Sequence, residues 1–540
     1  MHPGRMMDYP LLVTQLIERA ERFHPRVEVV STLADRSRHR ATYAETASRA
    51  RRLASALTKL GAKEGTRIGT LCWNHRQHLE AYLGVPAMGC VVHTLNLRLH
   101  PTEIGWIANH AGDEIVIVDQ CLLPLFEKFR ADVKSLRHVI VVPDDGTPVP
   151  GGTLDYEKLL ADASPDFAFP SLDEEQAAML CYTSGTTGNP KGVLYTHRSS
   201  ILHALVAAMP NHIGASVDDV MLPVVPMFHA AAWGLPYIAM LGGAKLVFPG
   251  PHLDATSLLG LMEAERVTVA GGVPTIWLGI LAALDAEPKR WDLRSVRTMI
   301  IGGSAAPPSM MDGFQKRHGL VVTHAWGMTE TNPLGTIARV KPHLRGEGDL
   351  AVRSTQGFAV PFIEQRHVGE DGKPLPWDGT SMGELEVRGA WVAKSYYGDD
   401  GKDRWTADGW FKTGDVVTID AEGYVTITDR SKDVVKSGGE WISSVAVENV
   451  LMSHPCVLEA AVFAAKHEKW GERPVAAVVW KPGKSAAEAD LAEHVRAALG
   501  KLCVPDAFVF VEQVPRTSTG KFLKTKLREL HGDILVRGKR

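Results

Sequence analysis

Residues 183–192 read TSGTTGNPKG: three glycines, four small hydroxyl side chains and, behind Pro190, a single lysine. Glycine lets a backbone approach a ligand closely and turn its N–H groups inward. Hydroxyls and an ammonium group add further donors, so the loop has the chemistry of a polyphosphate clamp. The P-loop spacing G-x-x-x-x-G-K-[ST] is not met, because Lys191 follows Pro190 and precedes Gly192. The Gly-Lys-Ser at Gly483 to Ser485 has Val478 where the first glycine belongs.

Outward from this loop, short apolar runs rich in β-branched residues recur: RIGTLCW from Arg67, GCVVHTL from Gly89, EIVIVD from Glu114, HVIVV from His138, VTVAGGVP from Val267 and VRTMIIGG from Val296. These read as buried strands. Amphipathic stretches lie between them. In TYAETASRARRLASALTKLG the residues Ala50, Leu53, Ala54, Leu57 and Leu60 share a face, Thr42 with Glu45 forms a capping box, and Gly61 can end the helix. The alternation implies α/β layers with largely parallel sheets.

After about Gly383 the pattern becomes period-two with turn residues, as in GELEVRG and GWFKTGDVVTIDAEGYVTITDR, which predicts a small antiparallel, barrel-like β subdomain. A compact α+β pattern follows: SSVAVENVLMSHP as a helix, PVAAVVW as a strand and AEADLAEHVRAALGKL as a helix. The boundary falls near Asp429 to Lys432, dividing the chain into 1–429 and 430–540.

The chain has 540 residues, more than one core usually supports, and is 45% apolar. Its 59 Lys and Arg against 62 Asp and Glu leave a formal charge of -3, which gives no general attraction to nucleic acid or an anionic membrane. Any anion must be gripped locally. Six cysteines lack paired spacing and read as reduced thiols, without a zinc cluster. Charges interrupt every apolar run of the first 23 residues and no 18-residue apolar span occurs, so a cytoplasmic protein without integral membrane association is expected. No G-x-S-x-G surrounds Ser184 or Ser304, which disfavours serine hydrolysis.

TSGTTGNPKG is followed in order by WGMTE at Trp326, GELEVRG at Gly383, TGD at Thr413, DRSKDVVKSGGE at Asp429 and PRTSTGKFLK at Pro515. This ordered set resembles the adenylate-forming superfamily of acyl-CoA synthetases, peptide-synthetase adenylation domains and luciferases. The resemblance implies a large N-terminal domain with a mobile C-terminal lid, and two half-reactions. A carboxylate first attacks the α-phosphorus of ATP to give an acyl-adenylate and pyrophosphate. A thiol then displaces AMP. Positioning, Mg²⁺ and lysine carry such chemistry without a protein nucleophile.

The resemblance assigns roles motif by motif. Thr183, Ser184, Gly185, Thr186, Thr187, Gly188 and Lys191 would cradle the β- and γ-phosphates, with Thr186 also beside the metal. Trp326 stands where the family usually has tyrosine and would stack on adenine beside Gly327. Thr329 would contact the α-phosphate, and Glu330 would hold Mg²⁺ as a hard oxygen ligand. Ser304 and Ala305, within GGSAAP, would line the adenine site; Asp415 would accept from the ribose hydroxyls and Arg430 would reach ribose or phosphate. Lys521 would insert beside the α-phosphate. Lys432 matches the hinge of the lid, and Lys436, Gly438, Gly439 and Glu440 would face the pantetheine tunnel of coenzyme A.

His229 matches the gate beside the substrate carboxylate, and Trp233, Gly302, Gly303 and Pro333 would shape the acyl pocket. From Leu222 to Phe248 the ionisable residues are His229 and Lys245, so no buried acid awaits a substrate ammonium. An apolar acid and free coenzyme A are favoured over an amino acid and a carrier. FHAAAWGLPY and SGGEWISS resemble segments of medium-chain fatty-acyl-CoA ligases and 3-methylmercaptopropionyl-CoA ligases. Loading of a carrier protein and non-catalytic nucleotide or acyl sensing stay open as alternatives. Oligomeric state is not readable, a homodimer being one option.

Overall fold

A computed structural model describes residues 4–144, 147–183, 189–304, 306–346, 348–399, 401–437, 440–516 and 522–537. Each apolar run named above forms a strand in one of two large sheets. In the seven-stranded sheet the order is Leu154–Asp155, His138–Val142, Ile115–Asp119, Arg67–Leu71, Val91–Thr94, Ala177–Tyr182 and Gly192–Thr196. All neighbours run parallel except the last pair, an antiparallel hairpin. The nine-stranded sheet is parallel from Val322–Gly327 through Thr298–Ile301, Val269–Gly272, Val220–Pro223 and Lys245–Phe248 to Glu28–Thr32, with antiparallel strands added at both ends.

The helix Tyr43–Lys59 shows how local sequence sets these layers. Thr42 accepts from the Glu45 N–H at 3.2 Å and its own N–H donates to Glu45 Oε2 at 2.6 Å, so both cap donors are satisfied. Its apolar stripe, Ala50, Leu53, Ala54 and Leu57, is fully buried. It packs closely on the helix Arg76–Ala87, where a Cβ on Gly84 would lie 2.6 Å from the Ala50 carbonyl oxygen. Only glycine tolerates that approach. Each buried leucine here is worth about 2 kcal/mol of transfer free energy.

The period-two region forms a four-stranded antiparallel sheet, Ile363–Val368, Gly383–Gly389, Phe411–Ile419 and Val425–Arg430. The chain then enters another sheet, of Glu440–Ile442, Val435–Ser437, Gly471–Trp480, Val457–His467 and Ala507–Phe510, so the change of sheet falls between Arg430 and Val435. The helices Ser444–Ser453 and Glu488–Leu499 share a core with Val435, Val462 and Val478. Where this sheet meets the preceding one, the Lys524 Nζ lies 2.7 Å from Glu448 Oε1, and the Ser444 N–H donates to Asp429 Oδ2 at 2.6 Å. Among the described residues, no helix is long and apolar enough to cross a membrane.

Candidate active site

The glycine-rich loop is the tip of the hairpin between Ala177–Tyr182 and Gly192–Thr196. Its base is closed by two bonds: the Thr183 N–H donates to the Lys191 carbonyl at 2.9 Å, and the Lys191 N–H donates to Thr183 Oγ1 at 3.1 Å. Ser184, Gly185, Thr186, Thr187 and Gly188 lie outside the described residues, as do Ala305, Gly438, Gly439 and Lys521.

The strand Val322–Gly327, paired between Thr298–Ile301 and Leu334–Ile337 in the nine-stranded sheet, carries Trp326 near its C-terminal end, and the short turn Thr329–Thr331 follows. Gly327 cannot be replaced without rearrangement, since an added Cβ would lie 1.8 Å from the Pro333 carbonyl oxygen. Tyr195 donates its hydroxyl to the Thr329 carbonyl at 2.7 Å, tying this turn to the hairpin that carries the loop. Glu330 is buried, and its Oε1 accepts from the Tyr396 hydroxyl at 2.6 Å. The Lys191 ammonium sits over the same tyrosine, 5.0 Å from the ring centroid. Two motifs some 140 positions apart in the chain thus meet on one aromatic ring.

Asp415 is only 1% exposed. The Trp326 indole N–H donates to its Oδ2 at 2.9 Å, and the Arg430 Nε lies 2.8 Å from its Oδ1. Asp415 and Arg430 are register partners across antiparallel strands, which accounts for the pairing. The Arg430 contact is poorly aligned, so Oδ1 has no hydrogen-bond donor among the described residues. A buried carboxylate oxygen in that state is a natural acceptor for a ligand hydroxyl.

The residues expected to shape an acyl pocket are partly brought together. A Cβ on Gly302 would lie 3.3 Å from the Trp233 indole, so that glycine makes room for the ring, whereas Gly303, 4.0 Å from it, is set by its positive φ of 84°. Pro333 instead packs beneath Gly327. His229 is half-buried and opens a run of left-handed backbone at Ala230, Ala231, Ala232 and Trp233 (φ 36, 47, 52 and 56°). Ser304 follows Gly303 directly. Lys432 is exposed where the chain passes from one sheet to the next. Lys436 lies 5.1 Å from the Trp441 ring and 3.9 Å from Glu370 Oε1, on the hairpin of Val435–Ser437 and Glu440–Ile442.

Two findings lay beyond the sequence reading. Tyr396 falls in a polar SYYGDDGK segment with no motif around it, and only the pair of aromatics there marks it out. Cys72, His75 and Asp119 converge with ligand atoms within 4.8 Å of one another, although their spacing shows no metal pattern. His75 Nε2 and Asp119 Oδ1 bond each other at 2.8 Å, and the Trp73 N–H donates to Asp119 Oδ2 at 2.8 Å, so the group is internally satisfied. Burial pushes the Cys90 thiol up to about 12 and Cys181 up to about 11, which makes both poor nucleophiles at neutral pH.

Residues 16–397 match the AMP-binding enzyme family and residues 446–521 its C-terminal domain. Several relatives span nearly the whole chain. A "Long-chain-fatty-acid--CoA ligase" of Thermus thermophilus is 46% identical, covering 98% of this chain and 97% of its own. A "3-methylmercaptopropionyl-CoA ligase" of Ruegeria lacuscaerulensis is 44% identical (99% and 99%), and a "Medium-chain-fatty-acid--CoA ligase" of Ectopseudomonas oleovorans is 43% identical (99% and 98%). The crystal structure of the anthranilate CoA ligase AuaEII with anthranoyl-AMP superposes with a TM-score of 0.87 at 25% identity, covering 98% and 99% of the two chains. With both parts matched in order and relatives this similar from end to end, the chain belongs to the AMP-binding enzyme family.

Proposed function

We propose that this enzyme is an ATP-dependent, AMP-forming acyl-CoA ligase for an apolar carboxylic acid, either a medium-chain fatty acid or 3-methylmercaptopropionate. The observation that carries the reading is the convergence of residues from separate motifs: Lys191 lies over the Tyr396 ring, the Tyr396 hydroxyl donates to Glu330, and Asp415 accepts from the Trp326 indole beside Arg430.

In the first half-reaction a carboxylate oxygen of the substrate bonds to the α-phosphorus of ATP as the bond to pyrophosphate breaks. Lys191 and the loop hydroxyls grip the β- and γ-phosphates, and Lys521 places its ammonium beside the α-phosphate where charge accumulates. Asp415 accepts the ribose hydroxyls, with Arg430 alongside. The Trp326 indole forms the adenine platform. Glu330 offers a hard carboxylate oxygen: Oε1 is taken by Tyr396, and Oε2 has no hydrogen bond to a described residue. That donor set fits Mg²⁺, with Thr186 as the second protein ligand, and the cation would neutralise phosphate charge.

In the second half-reaction the thiol sulfur of coenzyme A attacks the acyl carbonyl and AMP departs. The unit 430–540 turns about Lys432 to withdraw Lys521 and bring Lys436, Gly438, Gly439 and Glu440 to the pantetheine path. His229 gates the carboxylate. The Trp233 indole, lying across Gly302 and Gly303, limits the length of the acyl tail.

The test is AMP release with coenzyme A across straight-chain acids from acetate to palmitate, together with 3-methylmercaptopropionate. Activity centred on C6–C10 acids or on the thioether acid is expected. A maximum at C16, or a preference for amino acids, would overturn the substrate assignment.

A further inference from the structure

Tyr396 contacts both Lys191 and Glu330, and no role of its own is assigned to it above. Its hydroxyl donates to Glu330 Oε1, and its ring face carries the Lys191 ammonium. The ring is held from behind. Trp405 packs edge-on to it at 5.1 Å and 72°, the Trp405 indole N–H donates to the Ala393 carbonyl at 2.7 Å, and the Ala393 N–H donates to the Glu330 carbonyl at 2.8 Å. Glu330, Tyr396, Trp405 and Ala393 therefore form a closed circuit. A Cβ on Gly401 would lie 2.5 Å from Lys191 Nζ and 3.1 Å from the Tyr396 ring, so glycine there leaves room for both.

A lysine and a buried glutamate lining one pocket attract each other strongly, because little water screens them. If they paired directly, each would neutralise the other. No Lys191–Glu330 ion pair occurs among the described residues; Tyr396 stands between them. The phenol has two different faces for two different charges, an O–H for the carboxylate and a π surface for the ammonium.

We infer that Tyr396 is a positioning residue that keeps Lys191 and Glu330 separately satisfied, so that the ammonium stays available to polyphosphate and Glu330 Oε2 to a divalent cation. The inference rests on the adenylation reading of this site. It assigns one function to each part of the side chain: the hydroxyl sets metal affinity, and the ring sets the station of Lys191.

The test separates the two parts with Tyr396→Phe, which keeps the ring, and Tyr396→Leu, which keeps neither. Mn²⁺ binding is followed by electron paramagnetic resonance in the presence of a non-hydrolysable ATP analogue, and metal-free analogue binding by calorimetry. Tyr396→Phe is expected to weaken Mn²⁺ binding about tenfold, the scale of one hydrogen bond to a charged group, with metal-free nucleotide affinity within about twofold of the parent. Tyr396→Leu weakens both, because Lys191 collapses onto Glu330. In a Glu330→Gln background the Tyr396→Phe effect on Mn²⁺ disappears. That cycle still reads the coupling if Tyr396→Leu does not fold. Unchanged Mn²⁺ affinity in Tyr396→Phe, equal losses with and without metal, or an undiminished effect in the Glu330→Gln background would overturn the inference. These titrations need neither acid nor coenzyme A, so failure of the ligase reading would show separately, as a parent enzyme that releases no AMP with any acid.

Discussion

Replacing Trp326 by phenylalanine tests the nucleotide site most sharply. The indole N–H donates to Asp415 Oδ2 at 2.9 Å, and both residues are nearly fully buried, at 6% and 1% exposed. Phenylalanine keeps an aromatic face for adenine and removes the donor together with the five-membered ring, a loss of volume that affects both nucleotides below alike. A buried hydrogen bond to a charged group is worth about 1.5–3 kcal/mol, which corresponds to about 12- to 150-fold in an equilibrium constant. Part of that loss falls on the free protein, as the carboxylate turns toward Arg430 Nε, already 2.8 Å from Oδ1. A rise of about tenfold in the KM for ATP is therefore expected. The assay is acid-dependent pyrophosphate exchange with ATP and with 2′,3′-dideoxy-ATP. The dideoxy nucleotide has no ribose hydroxyls for Asp415, so the substitution should raise its KM by less than about threefold. Equal losses with the two nucleotides would mean that Trp326 acts only as a stacking platform, and the coupling of indole to ribose recognition would be refuted.

Lys521→Ala should slow adenylation about a hundredfold, or ~3 kcal/mol, by analogy with loss of an oxyanion donor, while thioester formation from supplied acyl-adenylate is little affected; an unchanged single-turnover adenylation rate would refute its role. Lys524, three residues on, has a structural part: it is buried against Glu448, near Asp429, and burial pushes both carboxyl groups up. Lys524→Met should therefore destabilise the C-terminal unit by about 3–5 kcal/mol, read as an earlier thermal transition, because it leaves a buried carboxylate without its cation. The fourth prediction concerns acid stability. Burial lowers His203 from 6.5 to about 3, and its Nε2 accepts from the Leu334 N–H at 3.3 Å in the neutral form. Between these values the unfolded chain binds the extra proton, so stability is full above pH 6.5 and is lost as pH falls toward 3. At pH 5 this amounts to about 2 kcal/mol, and the urea midpoint of His203→Gln should depend less on pH across that window.

Much of the architecture is legible locally. Runs such as EIVIVD can be satisfied only as strands buried on both faces, and the capping box at Thr42 starts a helix wherever the chain places it. The glycine-rich loop, too, stands out by composition. Sites spread over distant segments are another matter. The pairing of Asp415 with Arg430 follows from β register, and its bond to Trp326 from the meeting of two sheets; neither leaves a mark in spacing. Tyr396 was invisible for the same reason, since a tyrosine in a polar segment carries no signal until Glu330 and Lys191 are found on either side of it.

Sequence by itself determined the strands, the capped helices and the order of the motifs, because those depend on interactions within a few residues. Tertiary structure alone decided which charges face one another, since hydrogen bonding and Coulomb attraction act across space between groups far apart in the chain. The Lys191, Tyr396 and Glu330 cluster exists only once the loop hairpin, the Thr329–Thr331 turn and the SYYGDDGK segment have been packed together.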